Sequence, residues 1–164
     1  MIVKQIYTQC LAQASYYIES DGESVVIDPI RDIDSYVNLL DINNSKLKFI
    51  LETHFHADFI SGHLELNKKY GVPIIFGHNA EPAYNFLGKK DGEIIEVGKV
   101  KIKIIHTPGH TLESVCYLLI DENGNDYALF TGDTLFIGDV GIPDVAQRYK
   151  TVSYTHLTLP TIDR

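Results

Sequence analysis

Three short polar motifs each follow directly on a strand-length apolar run, and nothing else in the chain restricts its fold as much. THFHAD (53–58) follows LKFILE, TPGHT (107–111) follows VKIKIIH, and TGD (131–133) follows DYALF. Loops at strand ends, held by a rigid sheet, are where convergent polar groups are usually placed. A lone histidine such as His110 carries little weight, and an isolated HxHxD arises by chance. The three motifs in this order, each at a strand end, point together to a metal site. Imidazole and carboxylate suit zinc, iron or manganese, and cysteine is absent from all three. His54 and His56 stand two apart on a loop and can face one point. Pro108-Gly109 sets a turn that aims His110, and Gly132 permits close backbone approach before Asp133.

The rest of the first half alternates strand and helix signals. IVKQIYT (2–8), YYIES (16–20) and SVVID (24–28) read as strands, and Asp21-Gly22 between the last two is a hairpin turn. Ile33, Tyr36, Val37 and Leu40 fall at helical spacing, with Asp32 placed as a cap. LKFILE (47–52) is a short apolar strand. Ser61 precedes a helix that closes at Gly71, and PIIFG (73–77) is strand-like. The second half is richer in strands: EIIEVG after Asp91-Gly92, VKIKIIHT, and a pair, SVCYLLID and DYALFTGD, around the turn ENGN. The class is α/β, with helices packed on sheets.

The 164 residues suffice for one domain with a core. A formal net charge of −8 gives no attraction to a phosphate backbone, so no nucleic-acid partner is expected. No apolar run approaches the ~18 residues of a membrane helix, and residues 1–13 lack the basic and apolar regions of a signal peptide. Cys10 and Cys116 form no CxxC pair, which fits a reducing cytoplasm. A cytoplasmic location without membrane association is the expectation.

HxHxD, PGHT and GD in this order resemble the metallo-β-lactamase superfamily over about residues 1–150. The resemblance implies an αβ/βα sandwich with metals at one edge of two facing sheets. THFHADFISGH, HTPGHTLES and TGDTLFIGDVG look most like the persulfide dioxygenases, or sulfur dioxygenases, of the bacterial branch that carries rhodanese domains. That family binds one iron through the first histidine of the motif, the PGH histidine and the GD aspartate. The matching residues here are His54, His110 and Asp133, a facial set that leaves positions on Fe(II) for oxygen and substrate. His56 and Asp58 then orient ligands and water. Binuclear hydrolases such as glyoxalase II use HxHxDH, in which the aspartate and last histidine hold a second metal. This chain has Phe59 there, which has no lone pair and puts an apolar ring where a cation would sit. One metal per chain is therefore expected. The implied reaction, part of sulfide metabolism, joins a thiol persulfide such as glutathione persulfide with O2 and water to give sulfite and thiol. The parent protein could also carry a rhodanese domain.

The chain departs from the family in two places. Ile142 in GDVGIPD stands where relatives often have arginine near the anionic thiol carrier. Superfamily members also continue past the GD loop with further elements and a last histidine, so the domain is expected to be truncated in its C-terminal part. From about Thr151 the tail (151–164), TVSYTHLTLPTIDR, resembles a translated sequencing adapter, with a native polar tail as the alternative. His156 and Asp163 are left out of the site for that reason. His63 is expected on a helix surface, and His78 and His106 have no partner pattern. Cys10 could carry a persulfide but is expected to be a small buried residue, and Cys116 to be core. Tyr17, Tyr84 and Tyr117 are expected to pack, and Asp28 to bond backbone near the site edge.

Two other functions stay open. A zinc thioester hydrolase similar to glyoxalase II could use His54, His56 and His110 to activate water. Alternatively, the chain is an inactive metal-binding fragment. Iron favours the dioxygenase, and zinc with thioester cleavage the hydrolase.

Overall fold

The computed structural model describes residues 1–142; the expectations for the 151–164 tail lie outside them. One sheet has six strands in the order β1 (Ile2–Thr8), β2 (Gln13–Ser20), β3 (Glu23–Ile27), β4 (Lys46–Leu51), β5 (Ile74–Gly77) and β6 (Leu87–Lys89). A second, antiparallel sheet has four, in the order β10 (Asp126–Phe130), β9 (Val115–Ile120), β8 (Val100–His106) and β7 (Ile94–Val97). Two short strands, β11 (Leu135–Phe136) and β12 (Asp139–Val140), pair with each other.

Successive side chains of a strand point to opposite faces, and the core follows this period. Val25, Ile27, Leu51 and Ile75 of the first sheet meet Val97, Ile102, Ile104, Tyr117 and Leu119 of the second. Their neighbours Val26, Ile50, Ile74 and Phe76 point the other way, against α1 (Asp34–Ile42) and α2 (His63–Tyr70), which contribute Tyr36, Leu39, Leu40 and Leu66. The central strands are thus covered on both faces, which is why VVI and FIL read as unbroken apolar runs. Both helices of the described residues pack on the first sheet. No helix among them is long and apolar enough to cross a membrane.

Most sequence signals hold. Asp21 and Gly22 have φ of +52° and +81°, the left-handed pair of a two-residue hairpin between β2 and β3. Asp32 does not cap α1 as expected: the N-cap position is Ile33, and Asp32 Oδ1 only accepts the Asp34 N–H just ahead of the first turn (3.2 Å). Strand β6 was not expected, because FLGKK has no alternation; it is a short edge strand, parallel to β5.

Strands β3, β4 and β5 run parallel, so their C-terminal ends share one edge of the first sheet. In the second sheet β8 and β10 both run antiparallel to β9, so they too end on one edge. The backbone N–H of Val115 donates to the Thr53 carbonyl at 2.9 Å and joins the two edges. This brings the three polar motifs to one place.

Candidate metal centre

His54, His110 and Asp133 each present one donor atom, all within 4.8 Å of one another. Asp133 Oδ2 lies 3.8 Å from His54 Nε2 and 3.6 Å from His110 Nε2. His54 is buried, while His110 and Asp133 are partly exposed. Burial, together with the neighbouring His56 and His110, holds the His54 imidazole below its ordinary value, against the pull of Asp28 and Asp133. The neutral ring is the form that binds a metal.

Hydrogen bonds fix which nitrogen is bare. The Thr53 backbone N–H donates to Asp28 Oδ1 (2.7 Å) and its hydroxyl to Asp28 Oδ2 (2.8 Å). With its one proton committed, Thr53 Oγ1 can only accept from His54 Nδ1–H, 3.0 Å away. His110 Nδ1–H donates to the Ile142 carbonyl at 3.0 Å. Both Nε2 atoms therefore carry lone pairs beside Asp133, and this donor set fits a divalent ion. Asp28 thus has the backbone-bonding role expected of it, and its hydroxyl link to His54 goes beyond that.

Two glycines let the loops meet. A Cβ on Gly132, whose φ is +49°, would lie 2.3 Å from Thr53 Oγ1. A Cβ on Gly141 would lie 1.8 Å from the Asp133 carbonyl oxygen. Hydroxyls of Thr111 and Ser114, 2.7 Å apart, brace the loop that carries His110.

His56 does not join this group. Its Nε2 lies 3.2 Å from Asp28 Oδ1 and 3.3 Å from Glu52 Oε2. Burial opposes its charge, but the two carboxylates outweigh burial and push its pKa up to about 10. Burial pushes Asp28 upward, but the charge and hydrogen bonding of His56, the charge of His54 and the Thr53 N–H together outweigh it, leaving the carboxyl below its ordinary value. Asp58 is exposed at the wall of a cavity of about 420 Å³, which Tyr16, Phe59, Phe130, Asp133 and Phe136 also line. The Phe59 ring lies tilted against His56, with ring centroids 4.3 Å apart.

Several expectations need correction. Cys10 is exposed, because it sits on a one-turn connection after β1, not in a strand. His63 is only 13% exposed and places Nδ1 3.4 Å from Glu52 Oε1; it turns inward at the start of α2. His78 and His106 partner each other as stacked rings 4.6 Å apart. Cys116, Tyr17 and Tyr117, by contrast, are core residues as expected. Sequence reading passed over Glu52 and Thr53. Their signal was a carboxylate just after the apolar end of β4, two residues before the first histidine.

The family model of the metallo-beta-lactamase superfamily matches residues 8–161. The chain belongs to the metallo-beta-lactamase superfamily. It is 34% identical over 152 residues to a hydroxyacylglutathione hydrolase of Francisella philomiragia, covering 87% of this chain and 57% of that one. A metallo-beta-lactamase from Staphylococcus aureus superposes with a TM-score of 0.82 at 37% identity, over 90% of this chain and 47% of that one. ETHE1 from Myxococcus xanthus superposes with a TM-score of 0.76 at 27% identity, over 86% and 61%. The chain spans about half the length of the curated relatives it matches.

Proposed function

We propose that this superfamily member carries a mononuclear Fe(II) site that oxidises a low-molecular-weight thiol persulfide, such as glutathione persulfide, with O2 and water to sulfite and thiol. One observation carries the reading: the histidines are divided. His54 and His110 share a point with Asp133, while His56 faces Asp28 and Glu52. Two imidazoles and one carboxylate suit ferrous iron, and Phe59 adds no donor for a second ion.

Iron, when bound, supplies the one-electron chemistry by which triplet O2 reacts with a spin-paired persulfide. The chain's own residues position the reactants. Thr53 and the Ile142 carbonyl hold the two imidazoles in the ligand tautomer. Tyr16, Phe59, Phe130 and Phe136 line the cavity beside Asp133.

The comparisons weigh towards a second reading. The curated relatives are hydroxyacylglutathione hydrolases, which favours a zinc-dependent thioester hydrolase over a dioxygenase. In that reading His56 rotates away from the carboxylates to complete a three-histidine site. The two readings separate in one experiment. Protein is loaded with Fe(II) or Zn(II) without air and given glutathione persulfide or an S-acyl-glutathione. Oxygen uptake with sulfite release, abolished by His54→Ala, supports the dioxygenase. Thioester cleavage without oxygen uptake refutes it in favour of the hydrolase. Inactivity on both, with no bound metal, identifies an inactive fragment.

A further inference from the structure

Beside the first centre lies a second group of ligand-type side chains that the proposed reaction does not use. Asp28 follows β3, Glu52 follows β4, and His56 sits on the loop after it. One donor atom of each lies within 4.8 Å of the others. The side chains are 5%, 1% and 7% exposed. Among the described residues, every ion-pair partner of the two carboxylates is a histidine. Two carboxylates so deeply buried need a compensating cation, either the protonated His56 ring or a metal ion that takes the place of its proton.

The geometry around His56 separates two kinds of cation. If the ring simply donated a proton to a carboxylate, its Nε2–H would be aligned with one of them. Instead Nε2 is buried between Asp28 Oδ1 at 3.2 Å and Glu52 Oε2 at 3.3 Å without a hydrogen bond to either. Donors around a tetrahedral ion with bonds of ~2.0–2.1 Å stand about 3.3 Å apart. The two separations from His56 match, and the carboxylate oxygens lie within 4.8 Å of each other. His63, also buried at both ring nitrogens and without a hydrogen bond from either, stands on the far side of Glu52.

We propose that Asp28, Glu52 and His56 form a second metal site, for a divalent ion of the zinc, manganese or ferrous class, separate from His54, His110 and Asp133. It differs from the second position that Asp58 and residue 59 would build, because Asp58 is exposed and Phe59 has no donor. The two centres share no ligand. They are joined through Thr53, whose hydroxyl donates to Asp28 and accepts from His54.

The whole chain is titrated with Co(II), and bound metal is counted by elemental analysis after desalting, alongside the ligand-field spectrum. The expected result is two ions in the unmodified chain, two in Asp58→Asn, and one in Glu52→Gln with the spectrum of the first centre unchanged. A chain that saturates at one ion overturns the proposal. So does a second ion lost in Asp58→Asn but kept in Glu52→Gln. Because Glu52→Gln alters a buried carboxylate, a His110→Ala/Asp133→Asn variant gives an independent answer. One ion retained there supports the site, and none retained overturns it.

Discussion

Replacing Thr53 by valine removes one hydroxyl and keeps the shape of the side chain. In the native fold that hydroxyl links the Asp28 carboxylate to the His54 ring by hydrogen bonds, at 2.8 and 3.0 Å, in a residue only 1% exposed. Two losses follow. Asp28 Oδ2 loses a donor, and hydrogen bonds to charged groups contribute about 1.5–3 kcal/mol. His54 Nδ1–H loses its acceptor, which frees the ring to change tautomer or orientation. Removing such a partner of a metal-binding histidine costs about 10–100-fold in metal affinity. Thr53→Val should therefore unfold at lower urea, by about 1.5–3 kcal/mol, and should bind Co(II) about 10–100-fold more weakly. The band to follow is the one that His110→Ala abolishes. Thr53→Ser keeps the hydroxyl and should restore most of the metal affinity. If Thr53→Val binds Co(II) as tightly as the unmodified chain, the hydroxyl does not position His54. If Thr53→Ser loses as much as Thr53→Val, the methyl group is what matters.

Gly132→Ala should lower stability by about 1–3 kcal/mol, because it combines a left-handed φ of +49° with a Cβ 2.3 Å from Thr53 Oγ1; an unchanged melting temperature would contradict the packing described. Tyr117→Phe removes the hydroxyl that donates to the Glu52 carbonyl at 2.8 Å and should cost about 1–3 kcal/mol in chemical denaturation. A thiol reagent at mild alkaline pH should modify Cys10 quickly and Cys116 only after unfolding, since burial pushes the Cys116 thiol up and covers it; two fast thiols in the folded chain would refute this. The Lys48 ammonium (2.7 Å) and the Gly98 N–H hold the Glu23 carboxyl below its ordinary value of 4.5. A lowered folded value stabilises above the unfolded value and is lost as pH falls through the folded one. Glu23→Gln should therefore cost less than about 1 kcal/mol near neutrality, the side chain being 40% exposed, and nothing in strong acid.

The residues of the first centre were legible in the sequence because each stands directly after an apolar run, and a run of strand length says where its strand ends. The motifs that hold His54, His56, His110 and Asp133 could be found that way, as could the hairpin at Asp21-Gly22, whose turn chemistry is local; the choice of His54, His110 and Asp133 among them rested on the family resemblance. The central strands were legible for the same reason: burial on both faces demands unbroken apolar stretches such as VVI and FIL. What no local signal carried was the direction in which side chains turn. His54 and His56 are two residues apart on one loop, and the sequence offers them as equivalent. Only the parallel pairing of β3 and β4 sets Asp28 beside Glu52, and that pair takes the Nε2 of His56, although the His54 and His56 rings stay 4.3 Å apart. His63 turns inward for the same reason, and Cys10 lies outside because the chain leaves the sheet between β1 and β2. Local order along the chain determined which residues reach the sheet edge, because strand ends and turns are short-range features. The tertiary structure alone decided which of them face one another, because buried charges choose partners across strands that are distant in sequence.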